Sequence, residues 1–273
     1  MNRFLKLAHM EVHRFRYALG ALMGLTAICQ ISLIYYYVNV QLNAFEQNIL
    51  QSGQQYELRL SFAGMLAGTQ PLFALPIAVA IAALLLYVFL IWYRDWFGRS
   101  TFMIRQLMLP TARRHLYLAK LTALLGFVFG LVAYQLAMLV LLRWLFKLRV
   151  PASMFEPSYL AEAIEANQIL SVLLPRTFDQ FAVSYGLGIL GVLVAFTAVL
   201  LERSYRWKGI FYAILYVAAC LFVFVLPILF DINYSGPYWY PEEVFGLQLA
   251  ACGLIAGVSV WLGFRLLNKK ITV

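Results

Sequence analysis

LFALPIAVAIAALLLYVFLIWY, residues 72–93, runs for 22 residues without a charge. An α-helix rises about 1.5 Å per residue, so roughly 20 apolar residues cross the ~30 Å hydrocarbon core of a bilayer. The run lacks the period-two alternation of a barrel strand, and in lipid a helix satisfies its own backbone hydrogen bonds. A membrane-spanning helix is therefore predicted. Five further runs of this kind lie at about 17–40, 121–146, 180–201, 209–230 and 244–267. Composition agrees: 63% of residues are hydrophobic and 12% charged, against about 25% charged in soluble chains. The expected fold is an all-α integral membrane protein with six transmembrane helices, forming a single transmembrane domain over residues 1–273.

Charge sets the expected orientation, because Lys and Arg concentrate in cytoplasmic loops. With six spans, residues 1–16, the link after the second span, the link ERSYRWKG (202–209) and the tail share one side. That side holds 16 of the 21 basic residues and three of the 12 acids, Glu11, Asp95 and Glu202. Both ends of the sequence are predicted to be cytoplasmic, and the net +9 reads as an orientation signal, not a nucleic-acid footprint. Arg143, Lys147 and Arg149 form a basic exception on the outer side, explained most simply by a third helix that projects past the bilayer with Trp144 near the interface; a contact with a lipid headgroup or with substrate is the alternative reading. Aromatic groups at span ends read as interfacial anchors: Tyr35–Tyr37, Trp92, Tyr93 and Trp96, and Tyr238–Tyr240.

The start, MNRFLKLAHMEVHRFR, is basic and interleaved with apolar residues, and no cleavage site of a signal peptide follows its first apolar run. Phe4, Leu5, Ala8, Val12 and Phe15 at helical spacing predict an amphipathic helix over 1–16, lying in the inner interface. His9 and His13 are too few for a metal site, and HMEVH is not the HExxH pattern. Cys29, Cys220 and Cys252 lie inside spans as small packing residues without disulfide or metal spacing. No catalytic, cofactor or metal residue is predicted.

Of the outer segments, 41–71 is Gln-rich and reads as a loop or short helical hairpin. Residues 147–179 contain a short helix with Ser158 as its cap and Glu162 and Glu165 in it. No span carries a charge at mid-depth; the amides Gln30, Gln135 and Gln248 read first as hydrogen-bonding links between helices. Gly20 and Gly24, Gly126 and Gly130, and Gly253 and Gly257 have the small-xxx-small spacing of close helix packing or dimerisation. Pro76 and Pro227 are expected to kink their helices.

The stretch YRDWFGRSTFMIRQLMLPTARRHLYLAKL, residues 93–121, holds six basic residues and one acid, Asp95. Ser100 to Met108 can form a short amphipathic helix. Leu109-Pro110 breaks it, since proline disfavours helix at the residue before it. Thr111 can cap a second helix that runs through Arg113, Arg114 and His115 into the third span.

Gly98, the apolar helix, Leu109-Pro110, a basic residue at Arg113 or Arg114, and Lys120 entering a span together resemble the permease subunit of bacterial ABC transporters of the type 2 (export) class. The six spans and the N-terminal helix extend the resemblance over nearly the whole chain, although the acid near Gly98 is Asp95 where the family usually has Glu. The resemblance implies an interfacial elbow helix at 1–16 and a cytoplasmic coupling loop at 94–120. It further implies docking onto a separate ATP-binding subunit through Glu11, Arg14, Gly98, Arg99, Arg105, Pro110, Thr111, Arg113, Arg114 and Lys120. Two copies of that subunit would carry ATP and Mg. A second permease copy or a homologous permease, membrane lipids and a place in the bacterial cytoplasmic membrane are implied too. The chain has no G-x-x-x-x-G-K-[ST] loop, so it is not expected to be the ATPase or an enzyme. The implied cargo is hydrophobic or amphipathic: an antimicrobial peptide, an antibiotic or a lipid. Two alternatives stay open. A membrane-embedded enzyme would rely on Asp179, Asp231, Glu242 or Glu243 at the outer boundary, and a secondary transporter would need an internal repeat or a mid-membrane charge that the sequence lacks.

Overall fold

The computed structural model describes residues 3–52, 58–97, 114–205, 207–233 and 240–269. Six of its helices are long and apolar enough to cross a membrane: α1 (Arg3–Ser52), α3 (Gln70–Phe97), α4 (Arg114–Arg149), α7 (Phe178–Tyr205), α8 (Trp207–Asn233) and α9 (Pro241–Lys269). Short elements connect them: β1 (Leu60–Ser61), α2 (Phe62–Gly68), β2 (Phe155–Glu156), α5 (Leu160–Glu165) and α6 (Gln168–Leu173). The chain is thus a predominantly helical, multi-pass membrane protein. Pro76 and Pro227 lie inside the continuous helices α3 and α8.

Helix α1 corrects two expectations. No break separates a helix over 1–16 from a span over 17–40, and the helix continues through 41–52, where a loop or short helical hairpin was expected. At 50 residues it is about 75 Å long, more than twice the hydrocarbon thickness. The cause is local: no proline occurs between Arg3 and Ser52, and Gln, Leu, Ala and Glu in 41–52 are good helix formers.

Contacts group the chain into two compact units. One comprises Met1–Val12, Leu85–Leu125 and Tyr185–Val273; the other, His13–Leu84 and Gly126–Ser184. The second unit is built around Ile34 and Val38 of α1, Phe62, Met65 and Leu66 of α2, Phe73 of α3, and Leu139, Leu142 and Phe146 of α4. Its two connecting segments, each too short to fold alone, pack together. Leu60 pairs with Phe155 and Ser61 with Glu156 in a parallel ladder. Ser61 Oγ accepts from Gly64 N at 3.0 Å and so caps α2. Asn167 caps α6 by accepting from Ile169 N and Leu170 N, and its amide donates to Leu66 O at 3.4 Å. Ser158 does not cap α5: Tyr159 holds that position, and Ser158 Oγ accepts from Ala63 N of α2 instead.

Polar links run between helices in both units. Gln30 donates to Gln135 at 3.3 Å and Tyr134 to Met23 O at 2.6 Å in the second unit. Gln248 donates to Phe224 O at 2.9 Å in the first. The amides therefore act between helices, as their isolation in apolar runs predicts.

Candidate functional site

In the first unit, the closing turn of α3 carries three consecutive residues that reach three different segments. Arg94 extends to α1, where its Nη2 donates to Glu11 Oε2 at 3.0 Å. Lys120, in the second turn of α4, donates to the other oxygen, Glu11 Oε1, at 3.3 Å. One carboxylate thus holds a cation on each side of the 98–113 segment. Glu11 is 1% exposed and Lys120 0%, whereas the Arg94 side chain is 38% exposed. Helical spacing explains the burial of Glu11, since Leu7, Glu11 and Phe15 form one buried stripe along α1.

Lys120 is held on further sides. Its ammonium donates to Ile91 O at 2.7 Å and lies 5.1 Å from the centre of the Trp92 ring. Trp92 meets Phe196 of α7 edge-on, with centroids 5.6 Å apart, and Tyr117 of α4 packs against Phe196 and against Phe264 of α9. Tyr93 donates to Glu202 of α7, and the Arg203 guanidinium lies 4.6 Å over the Tyr93 ring.

Magnitudes show what such a site does. Two unit charges 3.3 Å apart attract by about 5 kcal/mol at an effective dielectric of 20. Desolvation costs several kcal/mol per buried ion, so the intact pair adds little net stability. Removing the carboxylate from beside the fully buried ammonium costs about 3–5 kcal/mol. The network is therefore a mechanical junction: α1, the end of α3 and the start of α4 separate only at high cost. Among the described residues, no three His, Cys, Asp or Glu side chains lie close enough to share a metal ion.

The residues expected to dock a partner fall into three groups. Gly98, Arg99, Arg105, Pro110, Thr111 and Arg113 lie outside the described residues. Arg114 is exposed at the start of α4, and Arg14 is half-buried on α1. Glu11 and Lys120 are buried and bound to this chain's own residues, so neither presents a side chain to a partner. Their burial follows from Lys120 facing Trp92 and Glu11 from within the helix bundle.

Two other expectations change. A Cβ added at Gly20, Gly24, Gly126, Gly130, Gly253 or Gly257 would meet nothing within 4 Å, so none of these glycines seats another helix of this chain. The close approaches occur elsewhere. A Cβ at Gly209 would lie 2.5 Å from Glu202 O and 2.6 Å from Leu201 O, and one at Gly263 would lie 3.0 Å from the Tyr117 ring. Trp92 is fully buried and is no interfacial anchor, while Tyr35 and Tyr36 are exposed as anchors should be. Sequence reasoning missed Trp92, Tyr93, Glu202, Arg203 and Gly209. A cluster of aromatics directly before the basic stretch was the available signal.

Fold and site together define a multi-pass helical membrane protein with a buried ion-pair junction at the base of a basic segment. A scan of protein-family models found no match to the chain, and comparison with curated proteins and with solved structures found none either.

Proposed function

We propose that this chain is the membrane-spanning subunit of an ATP-driven exporter of the ABC type 2 class, working with a separate ATP-binding subunit. One observation carries the reading: Glu11 of the N-terminal helix binds both Arg94 and Lys120, the cations that flank the basic 98–113 segment. In the resembled permeases that segment is the part the ATPase moves. A load applied there would reach α1, α3 and α4 together, because one buried carboxylate joins all three. Arg99, Arg105, Arg113 and Arg114 supply the docking charge in this reading, with Gly98, Pro110 and Thr111 shaping the segment and Arg14 on the neighbouring helix. Glu11 and Lys120 position the segment's base without touching the partner.

ATP and Mg would be bound by two copies of the partner subunit, and the transporter would contain a second permease. The cytoplasmic membrane, with both ends of the sequence inside, and a hydrophobic or amphipathic cargo complete the proposal. Co-expression with a candidate ATP-binding subunit tests it. The intact pair is expected to co-purify in detergent, and Arg113→Glu/Arg114→Glu to abolish the association while leaving the yield of this chain unchanged. Association that survives the double reversal would sink the docking assignment.

A further inference from the structure

The end of α4 remote from Lys120 combines charge and apolar exposure on one face. Leu139, Leu142, Phe146 and Val150 form its buried side. Val140, Trp144 and Leu148 repeat every fourth residue on the exposed side. The 3.6-residue turn brings Arg143 and Lys147, both exposed, onto that same side. The exposed apolar face of a membrane helix meets lipid, where a cation is costly unless it reaches a headgroup or another anion. Among the described residues no carboxylate pairs with Arg143 or Lys147. Their neighbour Arg149 differs: it donates to Asn39 Oδ1 at 3.2 Å and lies over the Tyr35 ring. Trp144 stands between the two cations in sequence, and tryptophan concentrates at the membrane–water boundary.

We infer that this strip is a binding site for an anionic phospholipid. Side chains four apart on a helix have Cβ atoms about 6 Å apart, so Arg143 and Lys147 can close on one phosphate from two sides. Val140, on the membrane side of both cations, then lies alongside the acyl chains, with Trp144 at the boundary between them and the phosphate. A zwitterionic headgroup would bring an ammonium to two positive charges with no carboxylate to receive it. Free phosphate has no chains, so the apolar strip adds nothing to its binding.

Titration of the purified full chain in detergent with phosphatidylglycerol and with phosphatidylcholine, read as binding-dependent thermal stabilisation, tests the site. The wild type is expected to prefer phosphatidylglycerol. Arg143→Gln/Lys147→Gln is expected to lose about 30-fold in apparent affinity for it, from about 1 kcal/mol per basic side chain near anionic lipid, with phosphatidylcholine binding unchanged. Arg149→Gln should keep the preference, since that guanidinium already has partners. Equal affinity of the wild type for both lipids, or a preference that survives in the double variant, overturns the inference. Competition by inorganic phosphate as strong as that by the lipid overturns it too. Should the double variant not fold, the wild type still decides. Phosphatidylglycerol with brominated chains should quench the fluorescence component that Trp144→Phe removes, and unlabelled phosphatidylglycerol, but not phosphatidylcholine, should reverse it. Absence of saturable quenching rejects the site.

Discussion

Glu11 divides its two oxygens between cations of unequal burial, and that inequality orders the expected effects of substitution. Lys120 is fully buried, so Glu11→Ala takes a carboxylate away from an enclosed ammonium that also meets Ile91 O and the Trp92 ring. A loss of about 3–5 kcal/mol is expected. Arg94 is partly exposed, and Arg94→Gln should cost under about 1 kcal/mol. Glu11→Ala/Lys120→Met removes the charge together with its counter-ion and should recover most of the loss. Thermal unfolding in detergent, arranged as a double-mutant cycle, measures these differences; additive effects of the two single changes would contradict the junction. Glycines separate in the same way. Gly209→Ala places a methyl group against the fixed backbone of Leu201 and Glu202 and should destabilise by about 1–3 kcal/mol. Gly253→Ala and Gly257→Ala meet open space and should not lower monomer stability, the better helix propensity of alanine adding up to about 1 kcal/mol. Should those positions lie between two copies, Gly253→Ile/Gly257→Ile would shift the oligomeric state seen by light scattering while unfolding stays as in the wild type.

At the scale of elements, Asn167 fastens the two connecting segments of the second unit. It is fully buried, caps α6 and donates to Leu66 O of α2. Asn167→Ala removes a cap and leaves that carbonyl without its donor, for about 2 kcal/mol in total. Limited proteolysis between residues 150 and 174 should accelerate, and an unchanged cleavage rate would show that the cap does not depend on this side chain. The single long helix α1 is also settled at this scale. The basic-and-apolar pattern of 1–16 was legible, yet amphipathicity alone does not say where a helix ends. Proline, which removes a donor from the hydrogen-bond ladder, does not occur between Arg3 and Ser52, and Gly20 and Gly24 lie within the helix without ending it.

For the whole molecule, the distribution of basic residues predicts which ends of the helices share a side. Lys208 and Lys147 are both exposed, and the six spans put them on opposite sides of the membrane. With Cys29, Cys220 and Cys252 replaced by serine, Lys147→Cys should react with a membrane-impermeant maleimide in intact cells. Lys208→Cys should react only after permeabilisation. The opposite pattern would reverse the orientation and, with it, the proposed inward placement of the 98–113 segment.

The number of spanning helices and the charge asymmetry were determined by the sequence alone, because both are local properties. An apolar run long enough to cross hydrocarbon satisfies its own backbone hydrogen bonds whatever surrounds it. The amides Gln30, Gln135 and Gln248 were legible as inter-helix links for a similar reason, since an isolated polar group in an apolar run must find a partner. Which groups meet was decided only by the tertiary structure. Glu11 and Lys120 stand 109 residues apart, and either could have faced solvent on a short amphipathic helix. Packing of Trp92, Tyr117 and Phe196 encloses the Lys120 side of the pair, and in that low-dielectric setting the two charges stabilise one another. The same holds for the glycines: spacing shows that a helix can be approached closely, and only the arrangement of helices shows that Gly209 is and Gly253 is not.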